Sequence, residues 1–405
     1  MAGPKSCGST SRPRSRRRCP TGCAPSSHEP VGGIVSTAAR AWVREALRRI
    51  EADAQRSADT HLIPLRLPGF AGIDLYLKDE SSHPSGSLKH RLARSLFLHA
   101  LSSGWLREGS TVVESSSGST AVSEAYFARL VGLPFVAVMP RTTSPQKIAA
   151  IEFQGGRCHL VDDPRAIYAE SARLAGELGG HYMDQFTMAE RATDWRANNN
   201  IAESVYAQMR LEPHPCPAWI VAAAGTGGTL ATIGRYVRYA RHATRVCGVD
   251  PERSVFFDAY VQRDRGLTCE AGSRIEGIGR PRVEASFLPD AIDAMVKVPD
   301  VWSLAAMHAL ADRLGRPVGG STGTNLIAVL ACASAMASAG QRGAIVTLLC
   351  DGGERYRQTC YDRDWLVTQG LACDAERAAI DAAIDSGRIP DMLAGAWRLA
   401  GDLKG

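Results

Sequence analysis

Two hydrophobic periods alternate along this chain. Residues 34–56 put Ala39, Trp42, Val43, Ala46, Leu47 and Ile50 on one side and arginines on the other, as an amphipathic surface helix does. Asp74-Leu75-Tyr76-Leu77-Lys78 alternates like a half-buried strand. Ser81, Ser82, Pro84, Ser85 and Gly86 are turn formers, and after them Leu88, Leu92, Leu96 and His99 recur at helical spacing, with Ser87 as the expected N-cap. From Ser110 onward strands are expected at 111–114, 135–139, 158–161, 182–185 and 219–223. Helices are expected between and after them, at 121–131, 146–153, 165–178, 198–209 and 230–241. A further strand falls at 345–349, and helices at 374–385, stopped by Gly387, and at 392–399 end the pattern. This alternation predicts an α/β fold with a mostly parallel sheet flanked by helices, and no fixed-period repeat interrupts it.

Composition narrows the class. With 405 residues, 45% of them hydrophobic, the chain can bury a full core and is expected to form two α/β lobes. The net charge of +5 is local: six basic residues against Glu29 lie in residues 1–30, and the remainder carries 41 of each sign. A folded body so balanced has no basic field for nucleic acid. The tail is rich in Arg, Ser, Pro and Gly without an apolar run, so residues 1–33 are expected to be disordered rather than a signal or transit peptide. The longest apolar stretch, 326–339, is too short to span a bilayer and rich in alanine. Eleven scattered cysteines without a CxxC pair point away from a disulfide framework and structural zinc; no metal is expected and a cytoplasmic location is.

In a parallel sheet, ligands bind where the strands end. Four strand-exit loops are dense in glycine and serine: Ser115-Ser116-Ser117-Gly118-Ser119-Thr120, Gly225-Thr226-Gly227-Gly228-Thr229, Gly277-Ile278-Gly279, and Cys350-Asp351-Gly352-Gly353-Glu354-Arg355-Tyr356. The first can hold a carboxylate with hydroxyls and helix N–H groups; the second can close backbone N–H groups around a phosphate. Only six lysines occur, and of these Lys89 alone follows a glycine-serine loop, whereas Lys147 lies on an ordinary helix. In the first helical turn, and desolvated, the Lys89 amine is favoured in its neutral form, which attacks carbonyls, so Lys89 is a candidate Schiff-base residue. Rival motifs fail. Leu230 occupies the third glycine of a dinucleotide fingerprint, and the Gly319-Gly320-Ser321-Thr322-Gly323 elbow has no histidine after it, the last being His308.

These stretches, with Pro84-Ser85-Gly86-Ser87-Leu88-Lys89 and Gly320-Ser321-Thr322-Gly323, resemble the cysteine synthase / cystathionine β-synthase family of fold-type II pyridoxal phosphate enzymes over roughly residues 60–365. Asp79 to Pro84, 184–196 and Asn198-Asn199-Asn200 resemble its L-cysteine desulfhydrase branch. The resemblance implies that Lys89 carries the cofactor and moves the Cα proton, and that Gly225, Thr226, Gly227, Gly228 and Thr229 bind its phosphate, with Gly277 in the same site. Ser116, Ser117, Thr120 and Gln185 would hold the substrate carboxylate as a smaller mobile lobe, roughly residues 95–210, closes. Ser119 stands where the family carries an asparagine facing the ring hydroxyl, and Gly352 where it carries a serine facing the pyridine nitrogen. Asp351 or Cys350 would take the latter place, and adjacent strand residues point to opposite faces, so both stay open.

The expectation is a pyridoxal phosphate lyase that degrades L-cysteine to sulfide, pyruvate and ammonia. A β-replacing cysteine synthase is the alternative, and a cofactor-free interaction module is disfavoured by an intact Lys89. The expected organisation is a catalytic unit over residues 34–370, a helical extension over 371–405, a small-molecule amino-acid partner, no membrane or nucleic acid, and a homodimer.

Overall fold

The structure is a computed structural model that describes residues 37–403 apart from 57, 271 and 396. The expected disordered tail lies outside the described residues. The first half runs α1 (Thr37–Gln55), β1 (His61–Leu65), β2 (Ile73–Asp79), α2 (Lys89–Ser102), β3 (Val112–Ser115), α3 (Ser119–Val131), β4 (Phe135–Pro140), α4 (Pro145–Phe153), β5 (Arg157–Val161), α5 (Ile167–Glu177), β6 (His181–Tyr182), α6 (Gln185–Ala192) and α7 (Ile201–Met209). It continues with β7 (Trp219–Ala223), α8 (Gly228–Ala240), β8 (Arg245–Pro251), α9 (Phe256–Gln262), β9 (Ala294–Val298), α10 (Asp300–Leu314), α11 (Gly320–Ser338), β10 (Gly343–Leu349), α12 (Arg363–Thr368), α13 (Asp374–Ser386), α14 (Asp391–Ala394) and β11 (Arg398–Gly401).

Two sheets result, as the alternation requires. The larger has the order β1-β2-β10-β7-β8-β9-β11, parallel except for the antiparallel edges β1 and β11; the smaller, β5-β4-β3-β6, is parallel throughout. One face of the large sheet packs Leu75, Leu77 and Val221 against α10, α11 and α13; the other packs Tyr76, Ile220 and Val346 against α7, α8 and α9. The small sheet is covered by α1, α2 and α3 on one face, where Ile50, Phe97 and Phe127 meet. Ala46 and Ile50 thus join the core of the small sheet, while Ile201 and Val205 of α7 join that of the large one.

β2 is not half-buried as its alternation predicts. It lies between β1 and β10 with helices on both faces, and Lys78 is fully buried, its amine donating to the Thr60 carbonyl at 2.8 Å and Gln208 Oε1 at 2.7 Å. The helix expected at 198–209 begins only at Ile201, because Asn198 and Asn199 have positive φ and the Asn200 side chain caps Ala202 and Glu203. The strand expected at 182–185 stops at Tyr182: Asp184 adopts φ 49° and caps α6, which Gln185 opens. The helix expected at 392–399 is a single turn followed by β11, whose backbone satisfies the otherwise open edge of β9. Among the described residues α11 is the one helix long and apolar enough to cross a membrane, and 83% of its apolar window is buried inside the fold.

Candidate active site

The strand ends β3 and β4 of the small sheet and β7 of the large one open on one cavity of about 310 Å³. Its floor is Lys89. The helix α2 starts at this residue with Leu88 in the cap position, so Ser87 is one residue further out than expected. A backbone bridge to Asp351 holds Ser87 there, and its hydroxyl still accepts the Lys89 N–H at 3.3 Å. Leu88 N–H donates to the Cys350 carbonyl at 2.9 Å, which fixes the start of α2 to the end of β10. Burial pushes the Lys89 amine below the ordinary lysine range and outweighs the pull of Cys350 and Asp351 in the other direction, while Arg355 lowers it further. The shift favours the neutral, nucleophilic form of the amine.

Beside it stands the glycine loop that opens α8. Gly227 has φ +94°, and a Cβ on it would lie 2.5 Å from the Phe287 Cα, so only glycine fits. Helix geometry leaves the N–H groups of Gly227, Thr229 and Leu230 without intrahelical acceptors, while that of Gly228 reaches Thr226 Oγ1 at 3.3 Å. Gly225 is crowded as well: a Cβ there would be 2.4 Å from the Gly277 carbonyl and 3.6 Å from Lys89 Nζ. The amine and the start of the phosphate cradle are therefore neighbours, with no side chain at Gly225 between them.

The opposite wall is the serine loop at the start of α3. Ser116 and Ser117 are half-buried in the cavity wall, and Ser116 Oγ accepts the Gly118 N–H at 3.3 Å. Thr120 is buried and donates to Gln185 Oε1 at 2.7 Å, so the Gln185 NH2 group is left for the cavity. Ser119 accepts from Arg355 at 2.9 Å, which joins the small-sheet side to the large.

Of the residues singled out in the sequence, the cavity gathers Lys89, Ser116, Ser117, Ser119, Thr120, Gln185, Gly225, Thr226 and Gly277. Gly228 and Thr229 line an adjoining smaller cavity that Lys89 and Thr226 share, and Gly227 supports it from below through Phe287. Asp351 and Gly352 do not line the main cavity; Arg355 does. Asp351 is buried, its Oδ2 taken by Arg355 and by the Tyr356 hydroxyl at 2.8 Å, while its Oδ1 has no partner among the described residues. Cys350 is buried with its Sγ beside Asn325 on α11, and burial pushes its thiol up to about 12. Ser321 of the rejected elbow is likewise buried, in the first turn of α11.

Sequence reasoning missed Lys147, Glu276 and Arg280. Lys147 is not an ordinary helix lysine: it lines the cavity and pairs across it with Glu276 at 2.9 Å. Arg280 crosses the same gap to the Tyr168 hydroxyl and lies 4.3 Å over the Phe186 ring. These contacts join residues more than ninety positions apart, and no local pattern encodes them.

A family profile for pyridoxal-phosphate dependent enzymes matches residues 55–351 of the chain. The chain belongs to this family. It is 59% identical to the L-cysteine desulfhydrase Cds1 of Mycobacterium tuberculosis over 85% of its length and 95% of that protein's. It is 30% identical to cysteine synthase 1 of Emericella nidulans over 77% of its length and 85% of that protein's. A solved O-ureido-L-serine synthase superposes with a TM-score of 0.65 at 26% identity, covering 80% of this chain and 98% of that one. The site fits the cofactor: a desolvated amine beside the side-chain-free Gly225 and open N–H groups at the start of α8 suit an aldehyde-bearing phosphate ester in chemistry and placement.

Proposed function

We propose that the protein is an L-cysteine desulfhydrase, which eliminates the β-thiol of L-cysteine and, with water, yields sulfide, pyruvate and ammonia. The observation that carries this reading is the 59% identity to a desulfhydrase over 85% of the chain, on a site where burial favours the neutral form of the Lys89 amine. The 30% identity to a cysteine synthase supports the second reading, β-replacement on O-acetylserine with the same residues.

Lys89 would hold the cofactor through Nζ, and Gly225 to Thr229 would hold its phosphate, with Gly277 closing the loop beside them. When bound, pyridoxal phosphate supplies an electron sink that eases breaking of the bonds at the substrate's Cα. Ser116, Ser117, Thr120 and Gln185 orient the amino acid by its carboxylate. Lys89 Nζ would be the base that takes the Cα proton, and desolvation favours its unprotonated form. Ser119 is tied to Arg355 and shapes the wall between the carboxylate cradle and the large sheet. Cys350 and Asp351, both close enough to act on the Lys89 amine, are the candidates for the pyridine nitrogen, Asp351 with an oxygen that has no partner among the described residues.

On the same reading the small-sheet unit is the lobe that closes over substrate, and Lys147–Glu276 and Arg280–Tyr168 are the contacts it makes on closing. On this reading the protein works as a homodimer in the cytoplasm, and free thiols such as Cys158, Cys247 and Cys350 support the reducing location. The test is sulfide release from L-cysteine by the holoenzyme, expected with wild type and absent with Lys89→Ala. Holoenzyme that turns over no β-substituted amino acid would overturn the proposal.

A further inference from the structure

Behind the serine loop lie two carboxyl groups with no exposure at all, Glu114 at the third position of β3 and Glu124 in α3. Glu114 is anchored by donors: Oε1 accepts the Ser115 N–H at 2.7 Å, and Oε2 accepts the Gln185 N–H at 3.1 Å. Glu124 is the opposite case. Neither of its oxygens accepts from any N–H or O–H donor among the described residues, and its carboxyl meets that of Glu114. An ionised carboxylate buried without a donor is prohibitively costly, whereas the acid form carries its own donor. The groups that face the pair from β6, the start of α6 and α5 are Tyr182, Asp184 and Tyr168, none of them cationic, and behind them Arg280 and Arg282 contact Tyr168.

We propose that Glu124 is a positioning residue of the substrate-carboxylate cradle: its acid O–H donates to Glu114, and Glu114 ties the backbone of Ser115 to that of Gln185. The consequence reaches the cavity by two bonds. Glu114 holds the end of β3 and the first residue of α6 at one distance, and Thr120, one helical turn before Glu124 on the same face of α3, donates to Gln185 Oε1. The Gln185 NH2 group and the N–H groups at the start of α3 are thereby aimed together. Burial raises both carboxyls above the ordinary carboxylate range, so the pair holds a shared proton to higher pH than an ordinary carboxyl does.

The inference rests on the reading that Ser116, Ser117, Thr120 and Gln185 bind the carboxylate of L-cysteine, so Gln185→Ala serves as the control for that reading. Holoenzymes carrying Glu124→Gln, Glu124→Ala and Gln185→Ala are compared in KM and kcat for L-cysteine, in cofactor absorbance and in melting temperature. Glu124→Gln keeps a neutral donor towards Glu114 and is expected to hold KM within about twofold, while Glu124→Ala raises KM about tenfold or more with kcat nearly unchanged. The infrared carbonyl band of a buried protonated acid is expected in wild type and absent in Glu124→Gln, and the alkaline rise in KM should flatten in that variant. Glu124→Ala with wild-type KM, or Glu124→Gln with wild-type infrared and pH profiles, overturns the proposal. Should Glu124→Ala not fold, the Glu124→Gln profiles decide alone. If Gln185→Ala leaves KM unchanged, the carboxylate reading itself fails; if it raises KM while Glu124→Ala does not, only the role of Glu124 fails.

Discussion

Gly225→Ala is the smallest change that tests how the amine and the phosphate cradle are placed. The new Cβ would lie 2.4 Å from the Gly277 carbonyl oxygen, a backbone atom that cannot rotate away, and 3.6 Å from Lys89 Nζ. Reaching ordinary van der Waals separation requires the loop at Gly277 to move by about 1 Å. Overpacking of that kind costs about 1–3 kcal/mol. Because the Gly277 loop lines the cavity, the cost falls mainly on the loaded state, a loss of cofactor affinity of about 5- to 150-fold. Gly277→Ala is the internal comparison: nothing lies within 4 Å of its Cβ, but φ is +83°, so it suffers backbone strain of about 1–2 kcal/mol without crowding the amine. The assay is to strip the cofactor, titrate pyridoxal phosphate back and follow the absorbance of the bound form. Gly225→Ala should bind more weakly than Gly277→Ala, and both more weakly than wild type. Affinity of Gly225→Ala within about threefold of wild type, roughly 0.6 kcal/mol, would refute the crowding argument.

Three other outcomes follow from the geometry. Lys89→Ala should lose all turnover with its circular dichroism and melting temperature retained, since the buried amine adds no stabilising ion pair; near-normal sulfide release would end its catalytic assignment. In the cofactor-free protein the folded state releases the Lys89 proton at lower pH than the unfolded chain, so wild-type stability should gain on Lys89→Met as pH rises towards 10.5 and the difference should level off above it; urea midpoints showing the opposite slope contradict the desolvation. Lys147→Ala removes a cross-cavity pair in which each side chain is about one-third exposed, a contribution of about 0–1 kcal/mol, so KM for L-cysteine should rise at most about fivefold and lose part of its salt dependence.

What the sequence revealed and what it hid follow one physical division. Strands such as β4, β7 and β10 and helices such as α3 and α8 were legible because their apolar runs or stripes meet the core directly, and Lys89 and the two cradles were legible because glycine and serine before a helix have a local meaning. Elements fixed by distant partners were not. β1, with Pro64 inside it, exists because β2 offers an edge, and β11 exists because β9 does. Asp184 reads as strand until its side chain is seen capping Thr187 N–H. Lys78 alternates as a surface residue yet is satisfied by Thr60 and Gln208, the latter 130 positions away. In the site, Lys147 gains its meaning only from Glu276, and the surroundings of Cys350 and Asp351, just past the end of β10, are set by Asn325, Arg355 and Tyr356, which alternation alone could not reveal.

The central claim, elimination from L-cysteine rather than synthesis of it, is tested most directly by product analysis on two mixtures with the same holoenzyme. Both chemistries use Lys89 and the same two cradles, so no substitution at a shared residue separates them. One mixture holds L-cysteine alone and the other O-acetylserine with sulfide. The account predicts rapid release of sulfide and pyruvate in equal amounts from the first and little net cysteine from the second. Cysteine formation in the second that outruns pyruvate release in the first by about tenfold, a barrier difference of about 1.4 kcal/mol, would contradict it and make the protein a cysteine synthase.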